Sequence, residues 1–191
     1  MTKKEEWLAG TRSAVPIMLG YVPVGIAYGV MARQAGLNTW QTVLMSLTVY
    51  GGASEMMAAG MVAQGAAVLT IVLTTFILNL RHIIMSTCVF SQMQGGRLPV
   101  RMLAAFGVTD ETFAVYTTTA NAPRTPRYFF SMALCSYLSW ALGSWLGAIA
   151  TGLLPPLITA ALGISLYAMF IGLLMPSLHG IHYASKRIRK W

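Results

Sequence analysis

Polar side chains are scarce over long stretches of this chain, and the apolar runs between them are of similar length. Six runs stand out, at residues 13–33, 40–63, 67–90, 102–120, 128–151 and 157–179, of which the fourth is the weakest. A helix of about 20 residues, rising ~1.5 Å per residue, covers the roughly 30 Å apolar core of a bilayer, so each run suits one crossing. The segments RQAGLNT, QG, QMQGGRLPVR, NAPRTPR and GLLPP lie between the runs and carry turn residues or charge. The pattern predicts an all-α polytopic helical membrane protein of about six spans, some of them broken or re-entrant. It forms one transmembrane domain over 13–184, between a cytoplasmic leader at 1–12 and a basic cytoplasmic tail at 185–191.

Composition supports this reading. Hydrophobic residues make up 56% of the 191 positions and charged residues 9%, against about 25% charged in a soluble domain. So few charges cannot cover a soluble surface. The 13 basic residues against 5 acidic ones do not imply nucleic acid, because they sit between or beyond apolar runs and form no basic patch interleaved with aromatics. With the N-terminus in the cytoplasm, nine basic residues fall in inner segments, three (Arg33, Arg97, Arg101) in outer ones, and Arg81 inside a span. That distribution obeys the positive-inside rule with both ends cytoplasmic, and without the weak fourth span the tail SKRIRKW would be exported. The start does not read as a cleaved signal peptide, since its apolar part is long and more runs follow.

Two runs carry signs of interruption. In PIMLGYVPVGIAYGV, Pro16 and Pro23 flank Gly20, and Pro23 lacks a helix donor and crowds the preceding turn, so a kink or break is expected near residues 20–25. Broken helices at membrane depth need protein or water to satisfy the freed backbone groups and are a device for binding substrates; a plain proline kink for packing is the other reading. In YGGASEMMAAG, Gly51 and Gly52 precede Glu55 and mark a second candidate break, with backbone amides available to an anion. The pairs Gly25/Gly29 and Gly143/Gly147 have the spacing that lets helices approach closely, a weak signal in a chain with 18 glycines. The two cysteines read as small buried hydrophobes, and the methionines at 56, 57 and 61 as packing rather than a metal stripe. No metal or cofactor is expected.

The ionisable residues inside the runs carry the chemistry. Glu55, Asp110 and Glu111 all lie within apolar runs, as do Asn79, Arg81 and His82 in FILNLRHIIM. A charge at mid-membrane costs about 2.5–3.5 kcal/mol on insertion scales. Glu55 either serves a site or pairs with Arg81 within a small-residue packing face. Asp110 and Glu111 lie roughly 100° apart on a helix, so one can face a cavity and the other a neighbour. Alternatively Thr109 caps a helix start, with Thr112 completing a poor capping box. The third run either ends at Leu80, leaving Arg81 and His82 at the interface, or continues through Phe90. A zwitterionic amino acid needs a positive group for its carboxylate, here Arg81 or a half-helix N-terminus, and a negative one for its ammonium, here Glu55 or Asp110. Three acids against one arginine and one histidine leave room for bound protons or a cation, which suits a proton-coupled carrier.

At these residues the chain resembles the AzlC family, large subunits of branched-chain amino acid exporters. The matching stretches are GYVPVGIAYGV, VYGGASEMMAAG, TTFILNLRHIIM, FGVTDETFAVY and AMFIGLLMPSL, in the family's order over most of residues 15–178, and the combination of NLRH with TDE is the most specific part. The resemblance implies export of branched-chain or similar apolar amino acids such as valine from the bacterial plasma membrane, together with a small membrane subunit of the AzlD type. Two departures stand out. The family usually has glutamine where this chain has Glu55, and often phenylalanine where it has Met56. It also commonly continues past AMFIGLL with more apolar sequence, which makes a shortened member or a fragment an expectation here. An intramembrane enzyme built on His82 is the second class weighed, and no HExxH, GxSxG or comparable signature supports it. The third is a non-transporting membrane subunit or regulator that needs a small partner.

Overall fold

The computed structural model describes residues 2–152, which form eight helices and, among the described residues, no strand. These are α1 (Lys3–Gln34), α2 (Thr39–Thr48), α3 (Gly52–Ala63), α4 (Val68–Asn79), α5 (Arg81–Gln92), α6 (Leu98–Phe106), α7 (Asp110–Thr118) and α8 (Pro126–Ala150). The first and fifth apolar runs are single helices. The second, third and fourth are each divided in two. The run at 157–179 and the tail at 185–191 lie outside the described residues. Among the described residues, three helical stretches are long and apolar enough to cross a membrane: α1, the α4–α5 stretch taken together, and α8.

The N-terminal leader is helical and continues into the first span. Thr2 caps α1, accepting from the Glu5 amide while the Glu5 carboxylate accepts from the Thr2 amide. The break expected at Gly20 and Pro23 is absent, because α1 runs unbroken from Lys3 to Gln34 with Pro16 and Pro23 inside it. A proline deletes one donor, a loss that neighbouring helices can compensate in a membrane protein, and α8 supports this stretch of α1 closely.

That support comes from the two glycine pairs, which face each other in one seam. A Cβ added at Gly29 would lie 2.3 Å from the Ser144 carbonyl oxygen, and one at Gly147 would lie 2.2 Å from that of Ile26. Gly25 and Gly143 meet in the same way, with Cα of each about 3 Å from the other's added Cβ. Between lipid-embedded helices the hydrophobic effect gives little attraction, so close backbone packing of this kind is a principal source of affinity. Beside the seam, Trp140 of α8 stacks on Tyr28 at 6.0 Å and meets Tyr21 edge-on at 5.3 Å, and all three rings are buried.

Each divided run breaks for a local reason. Between α2 and α3, Tyr50 takes a left-handed backbone (φ +46) and Gly51 is extended. Gly52 then starts α3 against the Trp140 ring, where a Cβ would lie 2.9 Å from Cη2. Between α4 and α5, Leu80 keeps a helical backbone but the bonding tightens, with Leu80 N–H donating to Ile77 and Ile83 N–H to Leu80. The third run therefore continues past Leu80 with a notch. Between α6 and α7, Thr109 caps α7 in a reciprocal box with Thr112, the arrangement weighed from the sequence. The α4–α5 stretch exposes Val68, Val72, Phe76, Ile77, Ile83 and Ile84, an apolar face suited to lipid.

Candidate functional site

The breaks bring distant parts of the chain to one cleft. The start of α3 with its cap contributes Gly51–Ala53, α5 contributes Arg81 and His82, and the start of α7 with its cap contributes Thr109–Glu111, while Tyr21 of α1 and Trp140 of α8 close the wall. The cleft is narrow, with room for about one water molecule. The first amides of a helix have no intrahelical acceptor and its N-terminus carries partial positive charge. The starts of α3 and α7 both border the cleft, and Arg81 adds a full cation.

Arg81 is paired with Asp110, Nη2 to Oδ2 at 2.8 Å, and both side chains keep partial exposure, at 39% and 24%. Arg81 Nε is buried without a partner. Glu111 turns the other way, as expected for its neighbour on a helix. It is buried, and its Oε2 accepts from the Tyr21 hydroxyl at 2.6 Å. That hydroxyl also lies 2.7 Å from Thr109 Oγ1. The adjacent acids thus tie the start of α7 to α5 through Asp110 and to α1 through Glu111.

The remaining sequence-predicted residues divide. His82 is half-buried in the cleft wall. Asn79 precedes the notch outside the wall, with its Oδ1 buried and unpartnered. A Cβ on Gly51 would lie 3.3 Å from that atom. Glu55 is fully buried and does not line the cleft. It is not the partner of Arg81, whose carboxylate is Asp110. It lies behind Gly51 and Trp140, accepting from the Gly51 amide at 3.0 Å and from Trp140 Nε1 at 3.2 and 3.3 Å, with Ser46 Oγ at 2.9 Å from Oε2. The amide of Gly51 is therefore taken by Glu55 and is not free for an anion. Gly20 lies on the unbroken α1 and Pro23 beyond it; neither borders the cleft.

Sequence reasoning missed Tyr21 and Trp140. Tyr21 meets its partners across 88 and 90 residues of chain, and no local pattern announces such a contact. Thr109 was identifiable, since its capping spacing to Thr112 can be read directly.

A family model for AzlC protein matches residues 16–154. The chain belongs to the AzlC family. It is 33% identical over 184 residues to an uncharacterized membrane protein of Archaeoglobus fulgidus, a match covering 95% of this chain and 80% of that one. It is 32% identical over 178 residues to the inner membrane protein YgaZ of Escherichia coli, covering 90% and 73%. A branched-chain amino acid transport protein, AzlC of Bacillus subtilis, is 27% identical over 157 residues, covering 78% of this chain and 61% of that protein's length. No solved structure matches. Family and relatives together identify a membrane protein with a transport-related role.

Proposed function

We propose that this protein is a secondary carrier that exports branched-chain or similar apolar amino acids, such as valine, across the bacterial plasma membrane, coupled to protons and acting with a small membrane subunit of the AzlD type. The observation that carries the proposal is the Arg81–Asp110 ion pair set in a cleft bordered by the starts of α3 and α7. A zwitterion can replace each member's partner with its own opposite charge. Its carboxylate goes to Arg81 and the free amides of α3, and its ammonium goes to Asp110. Charge is conserved in that exchange, and no ion is left unpaired in a medium of low dielectric constant. A bidentate guanidinium–carboxylate contact suits the substrate end. Room for about one water excludes valine from the cleft as it stands, so loading requires the half-helices to part, a motion that three interrupted runs favour. The name of the Bacillus subtilis relative supports the substrate class.

The test is efflux of labelled valine from vesicles containing this chain, with and without the small subunit, under an imposed proton gradient. Gradient-dependent efflux in the complex is the expected result, and its absence overturns the carrier reading. Unchanged transport by a complex carrying Arg81→Ala and Asp110→Ala would make this chain a non-transporting subunit instead.

A further inference from the structure

Behind the cleft lies a second polar cluster, and its hydrogens can be counted. Glu55, Ser46 and Ser144 are all fully buried, and Trp140 is 2% exposed. Three oxygen–oxygen contacts run in series. Glu55 Oε2 to Ser46 Oγ is 2.9 Å, Ser46 Oγ to Ser144 Oγ is 2.8 Å, and Ser144 Oγ to the Trp140 carbonyl oxygen is 2.9 Å. Each contact needs one hydrogen to be a bond. The two serines supply two, and a carbonyl supplies none. A third hydrogen, which spares Ser46 from splitting its own between Glu55 and Ser144, comes from the carboxyl of Glu55.

We propose that Glu55 is a proton-binding site of this protein, separate from the substrate cleft, and that Ser46 and Ser144 form a hydroxyl chain that serves the carboxyl in both of its protonation states. With the proton bound, Glu55 donates to Ser46, Ser46 to Ser144, and Ser144 to the Trp140 carbonyl. With the proton released, Ser46 turns its own hydrogen to the carboxylate, which keeps the Gly51 amide and the Trp140 indole as further donors, and Ser144 keeps its bond to the Trp140 carbonyl. One O–H bond forms or breaks and no electron moves. Glu55 is fully buried, so the proton passes to or from water when the wall of Gly51 and Trp140 opens toward the cleft.

Among the described residues, no ion pair or charged side chain bonds to Glu55 to settle the matter one way. Among the described residues the two ion pairs are Arg81–Asp110 and Glu6–Arg127, and neither includes Glu55. The titratable groups facing it are tyrosines. Tyr28 of α1 donates to the Thr42 carbonyl, Tyr137 of α8 donates to the Leu47 carbonyl, and Tyr50 at the α2–α3 break has a buried hydroxyl without a partner. The link to the cleft is a shared wall. Gly51 and Trp140 bond to Glu55 and also line the cleft. Protonation therefore changes the load on two groups that border the substrate position. That consequence for transport rests on the carrier reading above, whereas the proton site does not.

Infrared difference spectroscopy of the full chain in nanodiscs across a pH series tests the site directly. The expected result is a protonated-carboxyl C=O band that fades with rising pH in the wild type and is missing in Glu55→Gln, whose amide reproduces the neutral acid's hydrogen bonds and so preserves the fold. Ser46→Ala removes the hydroxyl next to the carboxyl and is expected to shift the midpoint of that band by about one pH unit. A wild-type spectrum with no titrating band that Glu55→Gln removes overturns the proposal. In vesicles, efflux of valine by Glu55→Gln is expected to lose its dependence on the proton gradient at least tenfold. If the band titrates as described but no form of the protein moves valine, the proton site stands and the carrier reading falls.

Discussion

Arg81 meets two kinds of partner, the carboxylate that holds it now and, on the carrier reading, the one that arrives with substrate. The first contact is partly exposed, so its contribution to stability is about 1 kcal/mol or less. Removing both members, Arg81→Ala with Asp110→Ala, leaves no uncompensated charge and is therefore expected to leave the melting temperature nearly unchanged in detergent while valine efflux falls at least tenfold. Tyr21 has the opposite balance. Its hydroxyl donates to the buried Glu111, and Tyr21→Phe leaves that carboxyl short of a donor at a cost of about 1–3 kcal/mol, visible as a lower melting temperature. The sequence pointed to Arg81, His82, Asp110 and Glu111 because an ionisable group in an apolar run is expensive and so conspicuous. Tyr21, Trp140, Ser46 and Ser144 are at home in a membrane helix. Their roles come from contacts across tens of residues that no local pattern carries.

Helix breaks were legible where the residues themselves favour a break and illegible where packing decides. Gly51 and Gly52 mark the α2–α3 interruption, and the spacing from Thr109 to Thr112 marks the start of α7. Leu80 has no feature of its own to announce the notch after α4. Pro23 suggested a break that does not occur, because α8 holds that part of α1 through the glycine seam. The seam gives a sharp test. Gly29→Leu places a side chain where even a Cβ would lie 2.3 Å from the Ser144 carbonyl oxygen, and loss of folded protein in size-exclusion profiles is expected. Gly60 on α3 has, among the described residues, nothing within 4 Å of an added Cβ. Gly60→Ala should fold normally and gain about 0.5–1 kcal/mol from reduced chain entropy in the unfolded state.

For the whole molecule, the charge distribution predicts which loops face which side. With a cytoplasmic N-terminus, the loop after α1 lies outside and the loop after α3 inside. In a background lacking Cys88 and Cys135, a membrane-impermeant thiol reagent applied to intact cells should label Gln34→Cys and spare Gln64→Cys, both exposed positions. The reverse labelling would invert the topology.

The glycine seam also limits how such a molecule can work. Where two helices touch backbone to backbone, no side chain lies between them to change rotamer and let one slide along the other. α1 and α8 therefore behave as a fixed frame. Among the described residues, and on the carrier reading, the rocking that admits a solute falls to the short half-helices hinged at residues 49–51, 80 and 107–109. A covalent staple between α1 and α8 would then leave turnover intact, while one joining α3 to α7 across the cleft would stop it.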